Sequence, residues 1–308
     1  MDAPVTRALV IGAGSIGARH ARVLRALGHE VSFVTSRLDL PGSTFDRIST
    51  AIRDFAPGYV VVANATASHA RTVSELVDLG YRGRLMVEKP AALASSSVRN
   101  GEFERLGFGF NLRFHPVIER LHRLLAGATV YTVEAYAGQH LESWRPTRPV
   151  SQQYSASLAH GGGVLRDLSH ELDYLALLLG PCSGVFARGG RLGNVTVDSD
   201  DAWALVARYE LAPVVSLQLN YLDAQHRRRI VVNSSVGTIE ADLIASTIRH
   251  DQAIELLPTD PDFTYSELHR AMFDDSDSRV ATLDDADATD RTIEMVEASA
   301  ATQRWMKW

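Results

Sequence analysis

The amino-acid sequence predicts an α/β protein: an N-terminal doubly wound parallel sheet followed by a region of antiparallel strands. Three observations carry this. Up to about residue 110, short β-branched runs alternate with helical periods, the pattern of βαβ units. A glycine-rich turn, Gly12-Ala13-Gly14-Ser15-Ile16-Gly17, joins the first strand to the first helix. From Val185 onward, strands follow one another with little helix between them, as in an antiparallel meander.

The elements follow in order. Ala8-Leu9-Val10-Ile11 reads as a buried strand, and Ser15 to Leu27 as a helix closed by Gly28. Val31-Ser32-Phe33-Val34 is the second strand. Tyr59 to Ala63 is the third, an apolar run of the kind a sheet covered on both faces requires. Ser68 to Leu79 reads as a helix and Leu85-Met86-Val87 as the next strand. After about residue 125 the texture changes. Thr129 to Tyr136 is a strand, and a loop-rich span through Trp144-Arg145-Pro146 and Pro149 leads to Gly161-Gly162-Gly163. Later strands are expected at Trp203–Tyr209, Val214–Tyr221, Ile230–Asn233 and Thr238-Ile239, then an acidic helix from about Asp284 to Trp305. The boundaries are 1–112 and 113–308, with the C-terminal helix free to pack back on the first domain.

A chain of 308 residues holds one large or two ordinary domains, and 45% hydrophobic with 22% charged residues is ordinary globular usage. The net charge of −6 recommends neither nucleic acid nor an anionic membrane as partner. The one basic cluster, His226-Arg227-Arg228-Arg229, reads as a solvated edge or turn. The single cysteine, Cys182, sits in a turn and excludes an internal disulfide and a thiolate-rich metal site. No leader peptide and no membrane-spanning run are seen, so a cytoplasmic setting is expected.

Four stretches carry chemistry. In the glycine turn, Gly12 allows the tight bend, Gly14 lets a pyrophosphate approach the backbone, and Gly17 lets helix and strand pack closely. The amides that open the helix at Ser15 and Ile16 would face the anion. Where an NAD site places an acid after the second strand, this chain reads Val34-Thr35-Ser36-Arg37. Ser36 and Arg37 could hold a 2′-phosphate, Asp39 lies slightly too far along, and NADP(H) is therefore expected over NAD(H). Glu88-Lys89-Pro90 ends a strand, and ligands bind beyond the carboxyl ends of such strands. Finally, in Gly161–Tyr174 the leucines 165, 168, 172, 175 and 179 fall on one stripe of a helix. Asp167, His170 and Asp173 fall opposite; taken alone, that is either a solvated polar face or the wall of a cleft.

In this order, the motifs GxGxxG, E-K-P and GGGxxxD…HxxD resemble the Gfo/Idh/MocA family of NAD(P)-dependent oxidoreductases. Gly107-Phe108-Gly109-Phe110-Asn111-Leu112-Arg113-Phe114-His115-Pro116 is similar to the stretch joining the family's two domains, and Asn64-Ala65-Thr66-Ala67-Ser68-His69 to its loop after the third strand. Tyr154-Ser155-Ala156 before the glycines resembles a branch of modified-sugar pathways. The resemblance implies an N-terminal Rossmann domain that binds the dinucleotide, and a C-terminal α/β domain with an open, largely antiparallel sheet for substrate and oligomerisation. It implies hydride transfer between nicotinamide and a hydroxyl or keto carbon of a sugar, nucleotide sugar or cyclitol.

Lys89, Asp167 and His170 then form the catalytic set, with the helix looking back at Lys89. His170 is the proton donor with Lys89 as runner-up, Lys89 polarises the reacting oxygen, and Asp167 orients or charge-tunes both. Asn64, His69, Glu88 and Lys89 join the glycines at the cofactor, while Asn111, Arg113, Tyr154 and Asp173 are substrate-side candidates. No metal is expected, and the partners are a small polyol or keto-sugar and further copies of the chain as a homodimer or homotetramer. One spacing departs from the family: its histidine commonly follows the aspartate by four residues, here by three. The stretch between Pro90 and Gly107 is also short. The alternatives are a reductase of a non-sugar substrate and a non-catalytic dinucleotide or sugar sensor.

Overall fold

The computed structural model describes residues 5–37, 39, 42–91, 103–144 and 149–308. The short stretch after Pro90, and Arg145-Pro146 of the loop-rich span, lie outside the described residues. The chain divides into two units, residues up to Phe114 with Pro261–Asp287, and His115–Asp260 with Ala288–Trp308.

The first unit runs β1 (Arg7–Ile11), α1 (Ser15–Ala26), β2 (Glu30–Val34), β3 (Thr44–Phe45), α2 (Ile48–Phe55), β4 (Tyr59–Val62), α3 (His69–Asp78), β5 (Arg84–Val87) and β6 (Arg105–Phe108). All pairings in its sheet are parallel, in the order β3-β2-β1-β4-β5-β6. Because side chains alternate along a strand, Leu9, Ile11, Val60, Val62, Leu85 and Val87 face one side, where α2 and α3 pack. Ala8, Val10, Val61 and Met86 face the other, where Ala21 and Leu24 of α1 cover them. The doubly wound sheet is as the sequence predicts. The short edge strands β3 and β6 and the eight-residue α2 are additions that their length left unreadable.

The second unit begins with α4 (Pro116–Leu125), β7 (Val130–Gly138) and α5 (Leu141–Trp144). Then come α6 (Val164–Asp167), α7 (His170–Leu179), β8 (Cys182–Gly190), β9 (Ala202–Tyr209), β10 (Val215–Asn220), β11 (Arg227–Ser234), β12 (Gly237–Asp242), β13 (Thr247–His250) and β14 (Ala253–Leu256). Next, α8 (Phe263–Ala271) returns to the first unit, where Leu268, Ala271 and Met272 join the core with Ala8, Val10 and α1. The last elements are α9 (Leu283–Thr302) and β15 (Met306–Lys307).

The nine strands of the second sheet run β14-β13-β12-β11-β7-β10-β9-β8-β15. Strand β7 is inserted between β11 and β10 and pairs with β10 in parallel, so the sheet is mixed rather than a simple meander. Cys182 opens β8 and does not lie in a free turn. The segment 261–287, which carries α8 and the start of α9, groups with the first unit. Among the described residues no helix is long and apolar enough to cross a membrane.

Candidate functional site

The first unit holds the residues predicted for the cofactor, with Lys89, Asn111 and Arg113. Gly12 has φ +103°, and a Cβ there would lie 2.6 Å from the Ala63 carbonyl oxygen. At Gly17 a Cβ would lie 2.0 Å from the Gly12 carbonyl oxygen, so this glycine is needed for α1 to pack against the turn. At Gly14 a Cβ meets nothing within 4 Å. Gly14 is also the N-cap of α1; it offers no side-chain cap, and the first turn, opening with Ser15 and Ile16, contains no acid. The free amides therefore open onto space that an anion can fill, helped by the helix dipole.

Around this turn, Asn64 donates to Thr72 Oγ1 at 2.7 Å, while its Oδ1 is a buried acceptor with no partner among the described residues. His69 opens α3 and bridges the Asn64 and Pro90 carbonyl oxygens, 3.2 Å from each. Burial holds its imidazole below the usual range. Glu88 turns inward: its Oε1 lies 2.9 Å from His20 Nε2 and its Oε2 accepts from the Lys89 amide at 3.2 Å. Room for that carboxylate comes from Gly109, where a Cβ would lie 2.6 Å from Oε1. The Lys89–Pro90 peptide is cis.

Ser36 and Arg37 follow β2 on the surface. Arg37 grips Asp39 through Nε and Nη2, at 3.0 and 2.7 Å, and its Nη1 reaches the Ala13 carbonyl oxygen at 3.1 Å. The sequence reading put Asp39 too far along; the loop instead folds its carboxylate onto the arginine. Asn111 and Arg113, expected on the substrate side, are buried and engaged within this unit. Asn111 Nδ2 donates to Thr264 Oγ1 at 2.7 Å, and Arg113 pairs with Asp285 at 3.2 Å.

The second unit holds Tyr154, Asp167, His170 and Asp173. Gly163 has φ +126°, and a Cβ there would lie 2.0 Å from Asp200 Oδ1. Asp200 Oδ2 accepts from the Leu165 amide at 2.9 Å and from Trp203 Nε1 at 2.7 Å, which caps α6. A Cβ on Gly162 would lie 2.2 Å from the Tyr154 carbonyl oxygen. The glycines thus press the segment of Tyr154 against the start of α6.

Asp167 ends α6, and its Oδ1 accepts the Tyr154 hydroxyl proton while Oδ2 accepts that of Tyr221 at 2.6 Å. Burial, with the Asp167 charge, drives the Tyr221 phenol well above its usual range and keeps it protonated. The ring of Trp144 stands edge-on to Tyr221 at 5.3 Å.

Leu168, at φ −96° and ψ 27°, breaks the helix, and α7 starts afresh at His170. The single helix expected across Leu165 to Leu179 is thus two, although all five leucines of the stripe are buried. The opposite face is not solvated: Asp167, His170 and Asp173 are 4%, 9% and 1% exposed. Next to His170, the fully buried Glu171 pairs with Arg228 Nε at 2.6 Å. The basic cluster is therefore split by strand alternation, with Arg228 inward and Arg227 and Arg229 exposed. Tyr221, Asp200 and Arg228 went unseen in the sequence because only the sheet brings them beside the glycine-rich segment. Among the described residues no group of three or more His, Cys, Asp or Glu could hold a metal ion.

Residues 118–240 match the family model of the GFO/IDH/MocA C-terminal domain. No curated protein matches the chain. Among solved structures, it is similar to GenD2 from gentamicin A biosynthesis in complex with NAD, at 21% identity and TM-score 0.81, over 100% of this chain and 97% of that one. The WlbA dehydrogenase from Bordetella pertussis in complex with NADH and UDP-GlcNAcA matches at 14% identity and TM-score 0.81, over 99% and 98%. An oxidoreductase from Thermotoga maritima matches at 15% identity and TM-score 0.82, over 98% of each chain. The family's C-terminal domain is thus matched in residues 118–240, and the solved structures share the fold of the whole chain.

Proposed function

We propose that the protein is a nicotinamide-dinucleotide-dependent oxidoreductase that interconverts a hydroxyl and a keto carbon of a sugar, nucleotide sugar or cyclitol. The observation that carries this is the uncapped N-terminus of α1 behind Gly14, where a Cβ would meet nothing. The buried, partnerless Asn64 Oδ1 supports it. GenD2 and WlbA, which share the fold, are described with NAD and with NADH and a nucleotide sugar.

The bound dinucleotide would supply or accept the hydride; the chain's own groups handle orientation and the proton. Gly12, Gly14 and the amides of Ser15 and Ile16 would hold the pyrophosphate. Lys89 would polarise the reacting oxygen electrostatically. His170 would donate or accept the proton there, since an imidazole titrates near working pH. Asp167 would act through the two phenols it fixes, with the half-exposed Tyr154 presented to substrate and Tyr221 behind it. Asp173, almost wholly buried, would support α7 or take one substrate hydroxyl. The homodimer or homotetramer expected from the sequence belongs to the same proposal.

For the cofactor we place NAD(H) ahead of NADP(H), reversing the expectation from Ser36 and Arg37. Asp39 already compensates the Arg37 charge, and its carboxylate would repel a 2′-phosphate there. Parallel titrations with NADH and NADPH, followed by nicotinamide fluorescence, test both points. Binding of NADH in preference to NADPH is expected, and binding of neither overturns the proposal. With a substrate found from keto-sugars and cyclitols, His170→Asn should lower kcat about 100-fold and leave NADH affinity unchanged. Unchanged turnover would remove His170 from proton transfer.

A further inference from the structure

Behind Glu88 lies a chain of polar groups that the proposed reaction does not use. His20 Nε2 is 2.9 Å from Glu88 Oε1, His20 Nδ1 is 2.9 Å from His269 Nε2, and His269 Nδ1 is 2.9 Å from the Tyr59 hydroxyl. His20, His269 and Tyr59 are fully buried, so no bulk water interrupts the chain. All four groups belong to the first unit: His20 on α1, Tyr59 on β4, Glu88 after β5 and His269 on α8. The aromatic surroundings are fixed as well, with Tyr265 edge-on to His20 at 5.4 Å and Phe273 edge-on to Tyr59 at 5.3 Å.

A neutral imidazole has one N–H and one lone-pair nitrogen, so the chain has two self-consistent polarities. In the first, Tyr59 donates to His269, His269 Nε2–H donates to His20, and His20 Nε2–H donates to an ionised Glu88. In the second every proton is reversed. Glu88 is then protonated, Tyr59 becomes the acceptor, and its own proton lies in the core with no acceptor among the described residues. A buried donor left unpaired is costly, so the first polarity prevails. It requires a neutral His269, and burial, followed by the neighbouring His20 and His29, holds that imidazole well below its usual range.

We propose that His20, His269 and Tyr59 are positioning residues: a buried relay of fixed polarity, running from Tyr59 to Glu88, that keeps the Glu88 carboxylate oriented and so sets the backbone at Lys89. The link is the Glu88 Oε2 contact with the Lys89 amide, and Gly109 leaves the carboxylate the room to make it. The relay stands on the geometry alone; its consequence for catalysis rests on the role of Lys89 proposed above.

The test is NMR on the full-length protein without cofactor, with 15N-labelled imidazoles and backbone amides, at neutral pH. Both His20 and His269 should show a protonated Nε2 and a bare, hydrogen-bonded Nδ1. In His269→Phe the His20 Nδ1 resonance should shift because its donor is gone, and the Lys89 amide proton should shift with it. His269→Gln should restore both, because one carboxamide can donate to His20 and accept from Tyr59. A protonated Nδ1 on either ring in the wild type overturns the proposal. So does a Lys89 amide that is the same in wild type, His269→Phe and His269→Gln. If His269→Phe does not fold, the wild-type tautomers decide, together with the His269 Nδ1 shift expected in Tyr59→Phe. Failure of NADH to bind would remove the proposed function and leave these signals readable, so the two failures are distinguishable.

Discussion

Both carboxylate oxygens of Asp167 receive a phenol proton, and the two phenols come from opposite directions of the chain: Tyr154 precedes it by 13 residues and Tyr221 follows by 54. An ionised carboxylate can accept both at once, which an amide cannot do without turning a donor toward one of them. Asp167 and Tyr154 were legible because they stand within one motif-bearing stretch. Tyr221 was not, since nothing local marks the residue after β10 as a partner of α6. Arg37 gives the reverse lesson. The sequence showed a charge that suits a phosphate, and the folded loop showed the carboxylate that already takes it. Asp39→Asn removes the competing charge and keeps the side chain's size. The ratio of NADPH to NADH affinity should rise about tenfold, roughly the effect of one screened surface charge near a phosphate. An unchanged ratio in parallel fluorescence titrations would show that Asp39 does not face the ribose, and the preference for NAD(H) would lose its basis.

Among the elements, the helix pair α6 and α7 departs most from its sequence pattern. A continuous 3.6-residue period through Leu165, Leu168, Leu172, Leu175 and Leu179 reads as one helix, and the leucines are indeed all buried. The break at Leu168 is invisible in that period because it costs little in side-chain placement. It nevertheless makes Asp167 the end of one helix and His170 the start of the next, so the two side chains are not related by the rotation of a continuous helix. The glycines before α6 make specific contacts. Gly162 abuts backbone, the Tyr154 carbonyl, while Gly163 combines a left-handed φ with the Asp200 carboxylate that caps α6. Gly162→Ala should therefore push Tyr154 away from Asp167, and Gly163→Ala should displace the cap. Each should cost about 3 kcal/mol or more in urea unfolding, since the Gly162 overlap is with backbone and Gly163 combines a strained φ with loss of the Asp200 cap. A cost below about 1 kcal/mol for both would show that this segment tolerates displacement and that Tyr154 is not held by it.

Across the whole molecule, histidine burial ties stability to pH in both units. The imidazoles of His29, His69 and His269 in the first unit are all held below their usual range, with burial the largest cause. In the second unit His115 is pushed from 6.5 down to about 4, first by burial and then by the Arg228 charge. His115 is the N-cap of α4, and its Nδ1 accepts from the Val117 amide at 3.2 Å, a bond that protonation would abolish. A histidine whose folded pKa is lowered binds fewer protons folded than unfolded between the two values. Its contribution is thus fully present above about pH 6.5 and is lost as pH falls through that value toward about 4. For His115 alone the span corresponds to about 3 kcal/mol. The sequence shows His115 before a proline-led helix, but its burial and the inward turn of Arg228 are products of the sheet register. Urea unfolding between pH 7 and 4.5 should show stability falling steadily with acidification. His115→Asn, which can cap the helix but does not titrate, should flatten that fall by about 2 kcal/mol while changing stability little at pH 7. The same slope in variant and wild type would mean that His115 does not stay neutral in the folded chain, and that the acid sensitivity belongs to the other lowered histidines, His29, His69 and His269 of the first unit and His226 of the second.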